Sequence, residues 1–305
     1  MKLLSRYIDP EMGRRHRTVN GEYHEIGDLL IYSHRDTEFD RATFPSDLHC
    51  HDYYELLVLV RGDVDYVCEA PVYRPKPFEV VLTPPGKFHM FRLVGDRTRY
   101  ERHVFYFYPE ALELIGAGAL TAFLPRIEDG CVLAIGDPTA KEELASLLSR
   151  LSGLWQGNVT ETEKALSLSH IIGIFYLLNR EFCLPVAPKE MLPDGIRALR
   201  DHIDRHYASI RSVCDIAQHF FYTREHISRL FRQHFDTSIA DYLSRRRIAE
   251  SRRLILCGMP LTEVAQAVGF GSLSTFIRAF RAETDMTPSE YRKFHRKSKK
   301  DETRC

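Results

Sequence analysis

The chain has 305 residues, 44% of them hydrophobic, enough for two domains that each bury a core. Its net charge of zero is unevenly distributed: from Gly195 onward there are 21 Lys and Arg against 13 Asp and Glu, a balance of +8, and the preceding part carries −8. A basic module suited to a polyanion therefore follows a mildly acidic one. Charges enter at Lys2 and no stretch of about 18 consecutive apolar residues occurs, so a secretory leader and a membrane span are not expected and a cytoplasmic protein is. The seven cysteines (Cys50, Cys68, Cys131, Cys183, Cys214, Cys257 and Cys305) are odd in number and show no CxxC pair, which argues against a disulfide framework or zinc finger and predicts reduced, mostly buried thiols.

Between Gly27 and Tyr108, short β-branched and aromatic runs alternate with turn residues: DLLIYSH, YELLVLVRG, VDYVCEA, FEVVLTPPG, FHMFRLVG and RHVFYFYP. This spacing predicts an antiparallel barrel or sandwich. Within it, HCHDYYE (49–55) places His49, His51 and Glu55 where a strand can point them to one face, with Leu57 beneath. TPPGKFH (83–89) brings His89 after a Pro-Gly turn, with Phe91 two residues further along its strand. Three imidazoles and a carboxylate suit zinc, nickel, iron or manganese, and they equally suit the polar lining of a small-molecule pocket. Tyr53, Tyr66 and Arg92 are further candidates for that lining and favour a sugar, small acid or polar aromatic over a lipid.

From about Thr139 the period changes. TAKEELASLLSRLSGLWQ sets Leu144, Leu147, Leu148, Leu151 and Leu154 at helical intervals, and ETEKALSLSHIIGIFYLLNREF makes a second, more apolar helix. The pair either completes the barrel core or supplies a dimer face. Residues 183–195 hold three prolines and a glycine and read as a linker.

The remainder is helical and repeats itself: SVCDIAQHFFYTREHISRLFRQHFD (212–236) is echoed by PLTEVAQAVGFGSLSTFIRAFRAETD (260–285). Ser212 with Asp215 forms a capping box, Thr223 and Ser272 cap the second helix of each copy, and Ala217 and Ala265 are small where helices must approach closely. Gly269 suits a turn that needs positive φ. Each copy has the pattern of a helix-turn-helix, whose second helix enters the major groove. Between the copies, SIADYLSRRRIAESRRLILC (238–257) reads as one helix, roughly 30 Å long at about 1.5 Å per residue, close to the rise of one DNA turn. TPSEYR closes the unit, with Thr287 as cap, Pro288 next and Glu290 completing the box. Arg247, in the middle of the connecting helix, is expected to be a buried ion-pair partner joining the two halves.

Over roughly 196–296, the segments IAQHF, ISRLFRQHF, YLSRRRIAESRRLI, EVAQAVGFGSLSTFIRAFR and TPSEYRK resemble the DNA-binding domain of the AraC/XylS family of transcription regulators. Phe221 departs from the small residue usual in the first turn, and Asp236 and Asp285 replace the usual glycine after each second helix. The resemblance implies base-edge contacts from Glu225, Ser228 and Arg229 in one recognition helix and from Ser274, Ile277 and Arg278 in the other. Arginine pairs bidentately with guanine, which favours Arg229 and Arg278. Arg232, Arg281, Arg292 and Lys293 are expected at phosphates. The spacing of HCHDYYE, with Gly62 beyond it and His89 in a second motif, resembles the cupin barrel.

The expected architecture is α+β with two domains: a cupin-like antiparallel β-barrel with flanking helices (1–182), a linker (183–195), an all-α double helix-turn-helix domain (196–296) and a basic tail (297–305). The expected function is a regulator that binds promoter sites on double-stranded DNA. Its pocket of His49, His51, Glu55, Leu57, His89 and Phe91 senses a small polar effector. A homodimer is expected, with RNA polymerase as a partner if the protein activates, and no membrane partner. No cofactor is expected, although a divalent metal on His49, His51, Glu55 and His89 is the alternative occupant. An enzyme is not expected; the alternative from that class is a metal-dependent cupin enzyme or a metal sensor with a DNA-targeting module.

Overall fold

A computed structural model describes residues 22–26, 30–46, 48–69, 71–113, 115–124, 130–155, 159–181 and 184–293; the basic tail lies outside them. The chain divides between Glu190 and Met191 into two compact units, Leu48 and His49 grouping with the second. This division falls inside the segment expected to be a linker.

The first unit is built on strands β1 (Glu22–Ile26), β2 (Leu30–Asp40), β3 (Tyr54–Arg61), β4 (Val64–Cys68), β5 (Pro71–Tyr73), β6 (Val80–Thr83), β7 (His89–Leu93), β8 (Arg97–Phe107), β9 (Cys131–Ala134), β10 (Leu184–Pro185) and β11 (Glu190–Met191). They form a seven-stranded sheet in the order β1-β2-β8-β3-β6-β9-β10 and a four-stranded sheet in the order β11-β5-β4-β7. The long β2 and β8 pair antiparallel without interruption from Leu30 opposite Phe107 to Asp40 opposite Arg97. Both run past the apolar segments read from sequence, because their distal halves alternate charged with buried residues. Leu184–Pro185 pairs with β9, so the proline-rich segment contributes a strand besides linking.

Alternation along the strands divides the apolar residues into two layers. Leu30, Tyr32, Leu56, Val58, Phe105 and Phe107 pack on Leu144, Leu148, Leu151, Ile171, Ile174 and Phe175. Those partners lie on two helices, α2 (Pro138–Leu154) and α3 (Glu161–Arg180), which follow a short α1 (Pro109–Glu113). Asp137 caps α2, with Pro138 at its first position, and Thr160 and Glu163 form a capping box on α3. The opposite strand faces (Ile31, Leu57, Leu59, Val81, Val104 and Tyr106) meet Val64 and Tyr66 of the smaller sheet and make the interior between the sheets. The helices therefore close one side of the large sheet, while α3 leaves Leu166 and Tyr176 exposed.

The second unit is helical: α4 (Asp194–His206), α5 (Val213–His219), α6 (Arg224–Phe235), α7 (Ile239–Leu256), α8 (Leu261–Ala267) and α9 (Leu273–Thr284), with a further helical turn over 288–293. None of the five cysteines in the described residues forms a disulfide; Cys50 and Cys68 are buried, but Cys214 and Cys257 are exposed, against the expectation of mostly buried thiols. Among the described residues no helix is long and apolar enough to cross a membrane.

Candidate functional site

Two short helical units stand at either end of α7. In the first, the Ser212 backbone N–H donates to Asp215 Oδ2 (3.0 Å) and the Asp215 N–H donates to Ser212 Oγ (3.3 Å), which starts α5. The turn to α6 passes through Phe221 at φ 57°, with its side chain 96% exposed. A left-handed non-glycine residue costs about 1 kcal/mol or more, so this turn forms despite its sequence. Thr223 caps α6 by accepting from the His226 N–H, and α6 buries Ile227, Phe231 and Phe235. In the second unit Gly269 turns at φ 89°, Ser272 caps α9 through the Thr275 N–H, and Phe276 and Phe280 are buried. Asp236 (φ 51°) and Asp285 (φ 55°) end the two recognition helices in left-handed caps, a conformation aspartate tolerates better than most residues.

The polar faces of α6 and α9 are open. Glu225, Arg229, Arg232, Ser274, Arg278, Arg281 and Lys293 are exposed, and Ser228 is half-buried. Two expected contacts are placed differently. Ile277 packs against the core of Val264, Phe276 and Phe280, because its position turns it partly inward. The Arg292 guanidinium donates to the Met259 carbonyl, tying the last helical turn to the connection between α7 and α8 instead of standing free for phosphate.

Arg247 joins the two units, but not through an ion pair. Its Nε donates to the Tyr207 carbonyl (2.9 Å), its Nη2 to the Ile210 carbonyl (2.5 Å), and its guanidinium lies 5.6 Å from the centre of the Phe270 ring. The acceptors lie in the segment between α4 and α5, and Phe270 lies in the turn between α8 and α9. At the same joint a Cβ on Gly269 would stand 2.3 Å from the Ala208 carbonyl oxygen. A bare backbone is required there both by φ and by space.

The four residues singled out from HCHDYYE and TPPGKFH converge: His49, His51, Glu55 and His89 present ligand-capable atoms all within 4.8 Å of one another. His51 Nδ1 bonds the Tyr53 carbonyl at 2.8 Å and His89 Nδ1 bonds the Lys87 carbonyl at 3.0 Å. A carbonyl only accepts, so both Nδ1 atoms carry hydrogen. Their Nε2 atoms face the same Glu55 oxygen at 3.1 and 3.4 Å. Burial opposes the charge on Glu55, but hydrogen bonds from His51 and His89 outweigh it and hold the carboxyl well below its usual range. Burial also lowers the His51 pKa, favouring the neutral ring. With Nδ1 protonated, a neutral ring turns its Nε2 lone pair toward an ionised carboxylate. A positive charge, either a proton or a metal ion, must lie between them. Imidazoles fixed by Nδ1–H to carbonyl bonds are the usual orientation of histidine ligands, so the donor set fits a divalent ion.

Leu57 is buried two residues beyond Glu55, and Phe91 follows His89 against Tyr66, the ring centres 5.1 Å apart. Tyr66 donates or accepts at Thr83 Oγ1 (2.7 Å) in the same interior. Arg92 does not join them. Alternation puts it on the outer face of β7, where Nη2 lies 3.6 Å from Asp65. The arginines on the inner face are Arg35 and Arg102, directly opposite each other in the β2–β8 register. They were missed because RDTEFD and RYERH, read without the strand pairing, look like solvated edges. A second group, His34, Glu101 and His103, lies on the outer face of the same strands. Its imidazoles stack 4.4 Å apart with planes 19° from parallel, so their ring-plane lone pairs run side by side and do not converge on an ion.

A family model described as the AraC-like ligand binding domain matches residues 35–171, and a helix-turn-helix domain model matches residues 216–293. Together with the fold they define the class: a DNA-binding protein with a double helix-turn-helix domain and a β-rich ligand-binding domain. The chain belongs to the AraC family of transcription regulators. It is 35% identical over 97 residues to the HTH-type transcriptional regulator YijO of Escherichia coli, a match covering 32% of this chain and 34% of that protein. It is 24% identical over 247 residues to the arabinose operon regulatory protein of Salmonella typhimurium, covering 78% of this chain and 83% of that one. Among solved structures, an apo form of ToxT from Vibrio cholerae aligns over 89% of this chain and 99% of its own, with 13% identity and a TM-score of 0.36.

Proposed function

We propose that this regulator reads promoter DNA with α6 and α9 and that a small polar effector held between the sheets of the first unit changes that reading. One observation carries the DNA half: two capped recognition helices, each with an exposed arginine at the same place (Arg229 and Arg278), hang from a single 18-residue helix of about 27 Å. That length suits successive major grooves on one face of the duplex. The interior cluster of His51, Glu55 and His89 beside Tyr66 and Phe91 supports the sensing half. The effector shifts the protein between two states by binding one of them better. The exposed Leu166 and Tyr176 on α3 support a homodimer through that helix, and activation would act through RNA polymerase. No enzyme activity is part of this reading.

A second reading of the interior is favoured by the Nδ1–H bonds of His51 and His89. A divalent ion held by His49, His51, Glu55 and His89 would supply the positive charge that the facing Nε2 and carboxylate atoms require. Four protein donors close a tetrahedral shell, as at structural ions.

The DNA assignment is tested by titrating Arg278→Ala and Arg281→Ala on a cognate duplex and on random DNA. Loss of Arg278 should cost about 1 to 3 kcal/mol on the cognate site and little on random DNA. Loss of Arg281 should weaken both and reduce the salt slope by about one. Equal losses on both duplexes for both variants would refute the division of roles.

A further inference from the structure

The turns of the two helix-turn-helix units share one backbone arrangement and differ in one side chain. In the first, the Phe221 N–H donates to the Gln218 carbonyl (3.2 Å) and the Tyr222 N–H to the Ala217 carbonyl (3.0 Å). In the second, the Gly269 N–H donates to the Gln266 carbonyl (3.0 Å) and the Phe270 N–H to the Ala265 carbonyl (2.8 Å). Phe221 therefore stands where the other turn has Gly269, and both are left-handed, at φ 57° and 89°. Glycine takes that conformation freely, whereas a bulky residue is strained in it. The ring recovers nothing from packing, because Phe221 is 96% exposed. In the free protein this side chain is unfavourable twice, through backbone strain and through apolar surface left in water. Strain of this kind gathers at sites that a partner uses.

The surroundings of the ring point to DNA. Phe221 precedes Thr223, the cap of α6, by two residues, at most about 7 Å of chain. Phe221, Tyr222, Thr223, Arg224 and Glu225 are exposed without interruption, and Arg224, Arg229 and Arg232 stand open on α6 against Glu225 as its one acidic residue. A recognition helix leads with its N-terminal residues into the major groove, so the end of α6 that enters the groove carries the ring with it. Phenylalanine has no polar atom for a phosphate or a base edge. Among the base edges of the major groove the thymine 5-methyl group is the apolar feature, and the rest present hydrogen-bond donors and acceptors.

We infer that Phe221 is a specificity-determining residue whose ring packs on the 5-methyl group of a thymine at the edge of the site read by α6. This rests on the reading of α6 as a recognition helix and adds to it a base contact made from outside the helix by apolar surface. The second unit has no counterpart: Gly269 has no side chain, and a Cβ there would stand 2.3 Å from the Ala208 carbonyl oxygen. The two halves of the DNA site are therefore read unequally, the thymine preference belonging to the α6 half alone.

The probe is a duplex selected by the full-length protein from a randomised library, together with copies in which each thymine in turn is replaced by uracil, a change that deletes only the methyl group. The wild type should lose about fourfold in affinity at one thymine, the worth of burying one methyl group. Phe221→Gly and Phe221→Asn both suit the left-handed turn and remove no packing, so they should melt no lower than wild type. Both should bind the thymine duplex about fourfold or more weakly and lose the distinction between thymine and uracil at that position. A wild type indifferent to every uracil copy, or variants that weaken thymine and uracil duplexes equally with the distinction intact, would overturn the thymine contact. Variants that bind the selected duplex as wild type does would overturn the DNA contact altogether and leave the ring to a protein partner. The reading beneath it fails separately: Arg229→Ala binding the selected duplex as tightly as wild type would remove α6 as a recognition helix, whatever the Phe221 variants do.

Discussion

Replacing Arg247 by methionine keeps the aliphatic stem and removes the clamp between the two helix-turn-helix units. The wild-type guanidinium makes charge-assisted bonds of 2.9 and 2.5 Å to the Tyr207 and Ile210 carbonyls and lies over Phe270. Such bonds are worth about 1.5 to 3 kcal/mol each, and an aromatic contact of this kind about 0.5 to 1. Arg247 is half-buried and its desolvation, which lowers its pKa, is recovered on substitution, so a net loss of about 2 to 4 kcal/mol is expected. The loss should appear in urea unfolding of the full chain. It should also appear in fluorescence anisotropy, where a duplex spanning two major-groove sites loses its advantage over a duplex with one site. Gly269→Ala attacks the same joint from the other side, because its Cβ would meet the Ala208 carbonyl at 2.3 Å. Stability within about 0.5 kcal/mol of wild type would refute the energetic reasoning. Stability lost with an unchanged two-site to one-site ratio would refute the claim that the joint spaces the recognition helices.

The helical half was legible because its signals are local. Caps at Ser212, Thr223, Ser272 and Thr287 act within four residues, and the left-handed caps Asp236 and Asp285 and the turn at Gly269 each have a conformational reason visible in one residue type. What escaped there were contacts across the repeat. Arg247 and Arg292 read as charges awaiting charged partners, whereas both bond to backbone carbonyls whose availability depends on how the turns pack.

In the barrel, the spacing of His49, His51 and Glu55 foretold a shared face, and the Pro-Gly turn before His89 foretold its return to that face. Arg35 and Arg102 were hidden because a charged residue in an alternating stretch is assigned to solvent by default. Only the uninterrupted β2–β8 register, with Ile31 and Val104 buried on the same face, shows that these two point inward. Arg92 was the converse error. It shares a strand with His89 and Phe91 but differs from them by an odd number of residues, which sends it to the other side of the sheet.

Two further tests follow from the first unit. Burial, with some help from the charge of His34, lowers the His103 pKa to about 3, where an exposed histidine titrates near 6.5. The unfolded chain therefore binds more protons between those values, and the stability contributed by a neutral His103 is complete above about pH 6.5 and lost as the pH falls toward 3. His103→Gln should flatten the acid limb of a stability-against-pH curve; an unchanged slope would sink this attribution. The ion reading of His49, His51, Glu55 and His89 makes the stronger demand. With both Nδ1 atoms donating to carbonyls, Nε2 atoms 3.1 and 3.4 Å from a carboxylate oxygen need a cation, and a divalent ion meets both at once. Protein purified without chelator should carry an equimolar divalent ion, lose melting temperature when dialysed against EDTA, and regain it with zinc. His89→Gln should remove the ion, and its melting temperature should then respond to neither EDTA nor zinc. Protein that takes up no zinc and melts identically with and without EDTA would show that a proton, shared among His51, His89 and Glu55, supplies the charge instead.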